Sequence, residues 1–475
     1  MTHASDELVG LDAGALAAQV AAGAVSCVEV MQAHLDHIEV MNPAVNAIVG
    51  LRDRESLLAE AGERDAELRR SGARGPLHGL PVAVKDLSEA AGLPWTSGSP
   101  LYAERVGVTD EPFVARMRAA GAIVIGKTNV PELGLGSQSY NPVWGTTRNP
   151  YDVSRTAGGS SGGAAAALAL RMLPVADGSD YMGSLRNPAG FCNVLGFRPS
   201  RGRVPRPGFV AQLSEIGPMG RTVSDVAMLL DVMAGAHPGA PLARADRPHD
   251  GPAEIAASGA RIGWLGDLGG HLATEPGLLE VCRGAAEAFA GLGATVEEVL
   301  PTVDFDELWT AFLTWRWWMT LDLEPLYADP ATRAMLKPEV VWEIERGLQL
   351  SALDVTRAMA VRDAWYATVL GLFERYDALL APSAQVFPFS ADVHWPTEID
   401  GRPMDTYHRW METVAPWSLA GVPVLGMPAG FDGRGLPAGV QLIGPPGADH
   451  RVLGLGRSYE EATGWVDRVR PPAVR

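Results

Sequence analysis

Three side chains in this sequence, Lys85, Ser160 and Ser184, are of types that together perform nucleophilic acyl transfer without a histidine. A serine hydroxyl is a weak nucleophile at neutral pH and needs a neighbour that takes its proton. A lysine serves as that base only where burial lowers its pKa enough to leave the amine neutral. Lys85 closes the run Leu80-Pro81-Val82-Ala83-Val84, which reads as a buried strand with one polar tip. An ordinary lysine is costly in such a place. Ser160 sits in Gly158-Gly159-Ser160-Ser161-Gly162-Gly163, and Ser184 in Asp180-Tyr181-Met182-Gly183-Ser184-Leu185-Arg186. The glycines allow backbone amides to approach other polar groups closely. Taken alone, Ser160 or Ser161 serves equally well as the cap of the Ala-rich stretch at 162–172.

The elements that must position these groups are legible in outline. From residue 11 to about 70, apolar residues recur at helical spacing, as in Leu16, Val20, Val28, Val30, Met31, Leu35 and Ile38, with Asn42-Pro43 and Gly72 as breakers. Residues 1–72 therefore read as a helical N-terminal arm. Between 75 and 208 short apolar runs alternate with Gly-rich turns and the Ala-rich stretch, which predicts α/β layering around the chemistry. Ala122-Ile123-Val124-Ile125-Gly126 predicts a second buried strand and Arg261-Ile262-Gly263-Trp264-Leu265 a later one. Residues 300–350 hold Trp309, Trp315, Trp317, Trp318, Tyr327 and Trp342 on a helical pattern. These read as helix-packing aromatics or as an aromatic wall over the site. A Pro-rich stretch at 381–403 and an apolar segment at 414–444 return to α/β character. No repeat, low-complexity tract or linker divides the 475 residues, so one large domain is expected.

Composition narrows the function classes. Asp plus Glu outnumber Lys plus Arg by 56 to 39, a net charge of -17, which disfavours nucleic acid and anionic membranes as partners. The three cysteines, Cys27, Cys192 and Cys282, lack the spacing of a disulfide framework or a metal site. The first residues show no basic region followed by an apolar stretch, so a cytoplasmic enzyme is expected. No apolar run approaches the roughly 18 to 20 residues that cross a bilayer. His-Glu-x-x-His, Cys-x-x-Cys and Gly-x-x-x-x-Gly-Lys-Ser/Thr are all absent from the sequence, and no metal or cofactor is expected.

At Lys85, Ser160 and Ser184 the chain resembles the amidase signature family, whose members use a Ser, cis-Ser, Lys triad. Ser184 lies 24 positions after Ser160, which matches the family spacing. Further elements follow in family order: Gly126-Lys127-Thr128-Asn129, Glu132, Gly145-Thr146-Thr147-Arg148-Asn149-Pro150, Gly196-Phe197-Arg198-Pro199-Ser200, and Leu436-Pro437-Ala438-Gly439-Val440-Gln441-Leu442-Ile443-Gly444. Nearly the whole chain is covered. The resemblance implies an α/β/α fold around a mixed, mainly parallel sheet of about eleven strands flanked by helices. It also implies Ser184 as nucleophile, Ser160 as proton relay behind a cis peptide bond to Gly159, and Lys85 as the ultimate base. The backbone amides of Tyr181, Met182, Gly183 and Ser184 would form the oxyanion hole, and Leu135, Gly136 and Ser137 would line the substrate carbonyl. Asp86, Ser161, Asp180 and Arg186 are candidate supports: Asp180 paired with Arg186 to hold the loop, Asp86 orienting Lys85 or accepting backbone amides. The chain departs from the family at Met182, where glycine is common. Met182 is expected to shape the acyl or leaving-group pocket.

The activity implied is hydrolysis of a carbon-nitrogen bond in a small molecule by a monomer or homodimer. The same machinery cleaves esters and carbamates. The aromatic segment, with Trp395, Trp410 and Trp417, tilts the expectation toward bulky or aryl amides and N-aryl carbamates (urethanes). Two other readings stand beside it. One is a glutaminase-type component of a tRNA-dependent amidotransferase. The other takes Gly-x-Ser-x-Gly around Ser160 and Ser161 as a hydrolase nucleophile elbow, with His394, His408 or His450 as base.

Overall fold

The computed structural model describes residues 3–210, 213–244 and 255–474. The first two residues of the opening segment lie outside it. Within residues 3–72 the chain forms a helix at His3–Gly10 followed by α1 (Ala13–Ala21), α2 (Cys27–Val45) and α3 (Arg54–Ser71). Ser26 and Glu29 form a capping box at the start of α2, and Asp53 caps α3 by accepting from the Ser56 amide. Leu16, Val20, Val30, Met31, Leu35 and Ile38 are buried, as their spacing predicts. The Asn42-Pro43 breaker acts three residues late: α2 runs through Pro43 to Val45 and stops where Asn46 turns left-handed. The Asn42 carboxamide oxygen instead accepts from the amides of Ala47 and Ile48, which shapes the exit.

Eleven strands form two ladders. The smaller contains β1 (Ile48–Val49), β2 (Pro81–Lys85) and β3 (Ile123–Thr128) in the order β1-β3-β2. The larger contains β4 (Val175–Asp180), β5 (Leu195–Arg198), β6 (Glu215–Gly220), β7 (Arg261–Trp264), β8 (Thr295–Glu298), β9 (Ala378–Pro382), β10 (Val424–Phe431) and β11 (Pro437–Ile443). Its order is β8-β7-β9-β11-β10-β5-β6-β4. The sheet is mixed, as expected, but five of its seven pairings are antiparallel rather than mainly parallel. Connection length accounts for one of the five. β10 and β11 are joined by a tight turn at 432–436, which forces antiparallel pairing. Parallel pairs occur only where a helical crossover returns the chain, as between β7 and β8.

The two ladders abut at β2 and the edge strand β4. Backbone pairing does not continue across this seam. The amide of Lys85 donates to the Asp177 carboxylate at 3.2 Å instead. The seam therefore carries polar side chains inside the protein, and Lys85 stands at its end.

The Ala-rich stretch forms α4 (Gly162–Ala169), buried throughout and ending three residues before Met172. Gly163 is required at its start, because a Cβ there would lie 2.3 Å from the Asn129 amide nitrogen and 2.6 Å from the Ala47 carbonyl. The 180–185 turn leads into α5 (Arg186–Cys192), and α6 (Leu278–Gly291) crosses over between β7 and β8. The aromatic segment forms α7 (Phe305–Thr320) and α8 (Pro338–Gly347), followed by α9 (Ala352–Phe373). Among the described residues no helix is long and apolar enough to cross a membrane.

Candidate active site

Lys85, Ser160 and Ser161 meet at the seam. The Lys85 Nζ lies within hydrogen-bond distance of Ser160 Oγ and Ser161 Oγ, both at 2.8 Å, of Ser179 Oγ at 2.9 Å and of the Ser179 carbonyl at 3.2 Å. Lys85 is 1% exposed, and burial pushes its pKa down to about 7. The carboxylates of Asp177 and Asp180 act in the opposite direction but do not cancel it. Burial likewise pushes Asp177 up to about 6. A neutral amine has two N–H bonds and one lone pair, so one of the three hydroxyls around it is free to donate into the lone pair.

Ser160 follows a cis peptide bond from Gly159. The loop is fixed from outside: the Ser139 hydroxyl donates to the Gly158 carbonyl at 3.0 Å and accepts from the Gly162 amide at 3.2 Å. Ser161 occupies the N-cap position of α4 yet makes no side-chain cap. The capping role open to it in the sequence is not taken, because its hydroxyl is turned to Lys85. The Ser161 amide donates to the Ser184 carbonyl at 3.2 Å, which ties the two serine loops together. Ser184 is 7% exposed.

Asp180 organises the turn that carries Ser184. Arg186 grips it with two hydrogen bonds, Nη2 to Oδ1 at 2.8 Å and Nε to Oδ2 at 2.9 Å, and both residues are fully buried. Burial works against ionisation of Asp180, but the Arg186 guanidinium beside it holds its carboxyl well below the usual carboxylate range. Arg186 also donates to Gln441 Oε1, Ser418 Oγ and the Val414 carbonyl, at 2.8, 2.8 and 3.0 Å. Asp180 in turn accepts from the amides of Gly183 at 2.7 Å and Leu185 at 3.1 Å.

Of the four amides expected from the sequence to form the cradle, that of Gly183 already has a protein acceptor. The Gly183 amide is engaged by the Asp180 carboxylate, a charged acceptor that a transient oxyanion would have to displace. Among the described residues, the amides of Tyr181, Met182 and Ser184 donate to no protein group. Gly183 is needed for its backbone: its φ is +82°, and a Cβ would lie 2.9 Å from Val414 Cγ2.

Asp86 does not bond the Lys85 amine. Its carboxylate accepts from the Thr96 amide and from Trp144 Nε1, both at 3.0 Å. Of the two roles open to it, accepting a backbone amide is the one it fills. The 135–138 segment backs onto the serine loop, since a Cβ on Gly159 would lie 3.0 Å from the Gln138 amide nitrogen and 3.1 Å from the Ser137 carbonyl carbon. Leu135 packs against Leu336, Val340 and Ile344, and its carbonyl accepts from Lys337 Nζ at 2.7 Å. Met182 is buried in one apolar cluster with Trp309, Phe312, Trp315, Trp410 and Trp417. Trp309 and Trp315 of the aromatic segment are thus core, Trp317 and Trp318 pack half-buried against it, and the same core reaches the Ser184 turn. Tyr327 packs apart from it, beside Leu135.

Residues missed in the sequence include Ser179, Asp177, Gln441 and Ser418. Asp177 and Ser179 alternate along β4, a buried strand, and that period was the available signal. Of the histidines considered as bases, His408 bonds Thr406 and pairs with Glu343, and His394 stacks on Tyr140. Ser160 and Ser161 face Lys85 instead.

Comparison with known proteins places this geometry in context. A family model described as Amidase matches residues 29–453. An acylamidase from Rhodococcus erythropolis is 33% identical over 467 residues, covering 96% of each chain. A glutamyl-tRNA(Gln) amidotransferase subunit from Thermus thermophilus is 36% identical, covering 94% of this chain and 96% of the relative. Among solved structures, a bacterial aryl acylamidase of the amidase signature family superposes with a TM-score of 0.89 at 27% identity, covering 98% of this chain and 99% of the other. A 6-aminohexanoate cyclic dimer hydrolase superposes with a TM-score of 0.84 at 28% identity, covering 98% and 100%. The molecule is a hydrolase acting on carbon-nitrogen amide bonds. The chain belongs to the amidase signature family.

Proposed function

We propose that the protein hydrolyses bulky or aryl amides through an acyl-enzyme on Ser184, with Ser160 as relay and Lys85 as base. The observation that carries this is a buried lysine, with its pKa near 7, bonded at 2.8 Å to the serine of a cis Gly-Ser pair. Ser184 Oγ bonds to the substrate carbonyl carbon as its proton passes to Ser160, and the Ser160 proton passes to Lys85. The amides of Tyr181, Met182 and Ser184 hold the oxyanion; each such donor contributes roughly 10²–10³ in rate. Collapse of the tetrahedral intermediate breaks the carbon-nitrogen bond, and the amine leaves with a proton returned through Ser160. Water then cleaves the ester through the same relay.

The aryl preference is supported by the aromatic cluster that includes Met182, and by the acylamidase relatives. Esters and N-aryl carbamates pass through the same oxyanion and belong to this reading. So do action on a small molecule, a cytoplasmic location and a single amidase domain, the last supported by a family match from 29 to 453 and by larger-ladder strands that span 175 to 443. The test is hydrolysis of a matched aryl amide, aryl ester and aryl carbamate by wild type, Ser184→Ala and Lys85→Ala. Loss of all three activities in Ser184→Ala is expected, and a Ser184→Ala protein that still turns over contradicts the assignment. The similarity to an amidotransferase component favours one second reading, a glutaminase that works in a complex. Glutamine hydrolysis appearing only with a partner protein, together with no turnover of aryl amides, would replace the first.

A further inference from the structure

The two halves of the 180–184 turn are fixed differently. The carboxylate of Asp180 holds Gly183 and Leu185. The amides of Tyr181 and Met182 donate to no protein group among the described residues, so between the anchors at Asp180 and Gly183 it is their side chains that hold them. The Tyr181 hydroxyl is buried without a hydrogen-bond partner, so the ring is held by its face and edge. The edge contact is Phe312, with centroids 6.2 Å apart. Over the face stands Arg316, its Cζ 5.1 Å from the ring centroid. That distance is within the range of an effective cation-π contact, which is strongest where both groups are desolvated.

Arg316 is itself fixed. It is 8% exposed on α7, ion-paired through Nε with Glu343 of α8, and it donates from Nη2 to the Tyr407 hydroxyl at 2.6 Å. Tyr407 donates in turn to the same Glu343 oxygen. Arg316 and Glu343 of the aromatic segment, joined by the Tyr407 hydroxyl and with His408 also beside Glu343, therefore bear on Tyr181.

We propose that Arg316, clamped by Glu343 and Tyr407, is a positioning residue that sets the Tyr181 and Met182 amides for the oxyanion. This rests on the proposed reading of those amides as oxyanion donors. Misplacement of such donors by a fraction of an ångström lowers turnover without weakening ground-state binding, because they act on charge that develops only in the transition state.

The test uses the full chain with an aryl anilide substrate. Removing one member of the ion pair alone strands a buried charge, so the principal variant is the apolar double replacement Arg316→Met with Glu343→Leu, which is often tolerated. Tyr407→Phe and Arg316→Lys, which keep the ion pair in place, stand beside it and decide the matter if the double variant does not fold. The expected result is a fall in kcat of about tenfold or more for the double variant, smaller falls for the other two, and KM within about threefold throughout. The acid limb of the pH profile stays near pH 7, because Lys85 is untouched. An unchanged kcat, or a loss confined to KM, overturns the proposal. A moved acid limb does so too, since it reports general damage to the site. Ser184→Ala is run in parallel: if it stays active, the underlying reading fails and the clamp falls with it, whereas an inactive Ser184→Ala with unaffected clamp variants rejects the clamp alone.

Discussion

The seam between the two ladders and the aromatic segment at 305–347 bear on the same short turn by opposite means. At the seam, polar side chains from β2, β4, α5 and β11, among them Lys85, Asp177, Ser179, Asp180, Arg186 and Gln441, form a dense hydrogen-bond network. In the aromatic segment, large rings pack around one ion pair, and the indole nitrogens of Trp309, Trp315 and Trp317 have no partner among the described residues. The first region determines which atoms can react. The second determines what lies next to them. A dense polar network resists change because each loss strands a buried group, whereas an apolar cluster tolerates substitution of similar volume.

That contrast is tested by substitutions of decreasing effect. Ser184→Ala should reduce amide turnover by several orders of magnitude, on the order of 10⁴-fold or more, with little change in thermal stability. Lys85→Ala should come next, with amide cleavage falling further than ester cleavage, since an amine leaving group depends on the returned proton. Arg186→Met strands the Asp180 charge in the interior and should cost about 3–5 kcal/mol in a denaturant titration. Gly183→Ala meets both a positive φ and Val414, and should cost roughly 1–3 kcal/mol with a loss of turnover. Met182→Gly, in the apolar region, should leave the protein folded and alter the ratio of rates between bulky and small acyl groups. An unaltered ratio would remove Met182 from the pocket.

The seam was largely legible in the sequence because its chemistry is local: Lys85 ends an apolar run, and Ser160 and Ser184 sit in unusual glycine contexts. Its supports were not. Asp177, Ser179, Ser418 and Gln441 reach the site through pairings between strands and helices far apart in sequence, which no local pattern encodes. The same is true of strand direction, since a buried run reads alike in parallel and antiparallel ladders. Ser161 was open to a capping role because helix starts are recognised by local spacing, yet a buried amine 76 residues upstream claims its hydroxyl. The commitment of the Gly183 amide to Asp180 follows from carboxylate orientation, which only the folded turn defines.

Burial of Lys85 also sets a stability signature. Its pKa falls from 10.5 to about 7 on folding, so the unfolded chain binds a proton that the folded protein does not between those values. Stability from this group is therefore lost as pH falls from about 10 to 7 and is constant below. The difference in melting temperature between wild type and Lys85→Met should consequently move in favour of the wild type as pH rises from about 7 to 10.

The central claim is that a buried, neutral lysine drives the reaction, and the pH dependence of kcat/KM for an aryl amide tests it most directly. Lys85 is active as the free base, so the rate should rise with pH through a single acid limb near pH 7 and level off above it. A profile that stays flat from about pH 5 to 10 would contradict the account and remove Lys85 as the base.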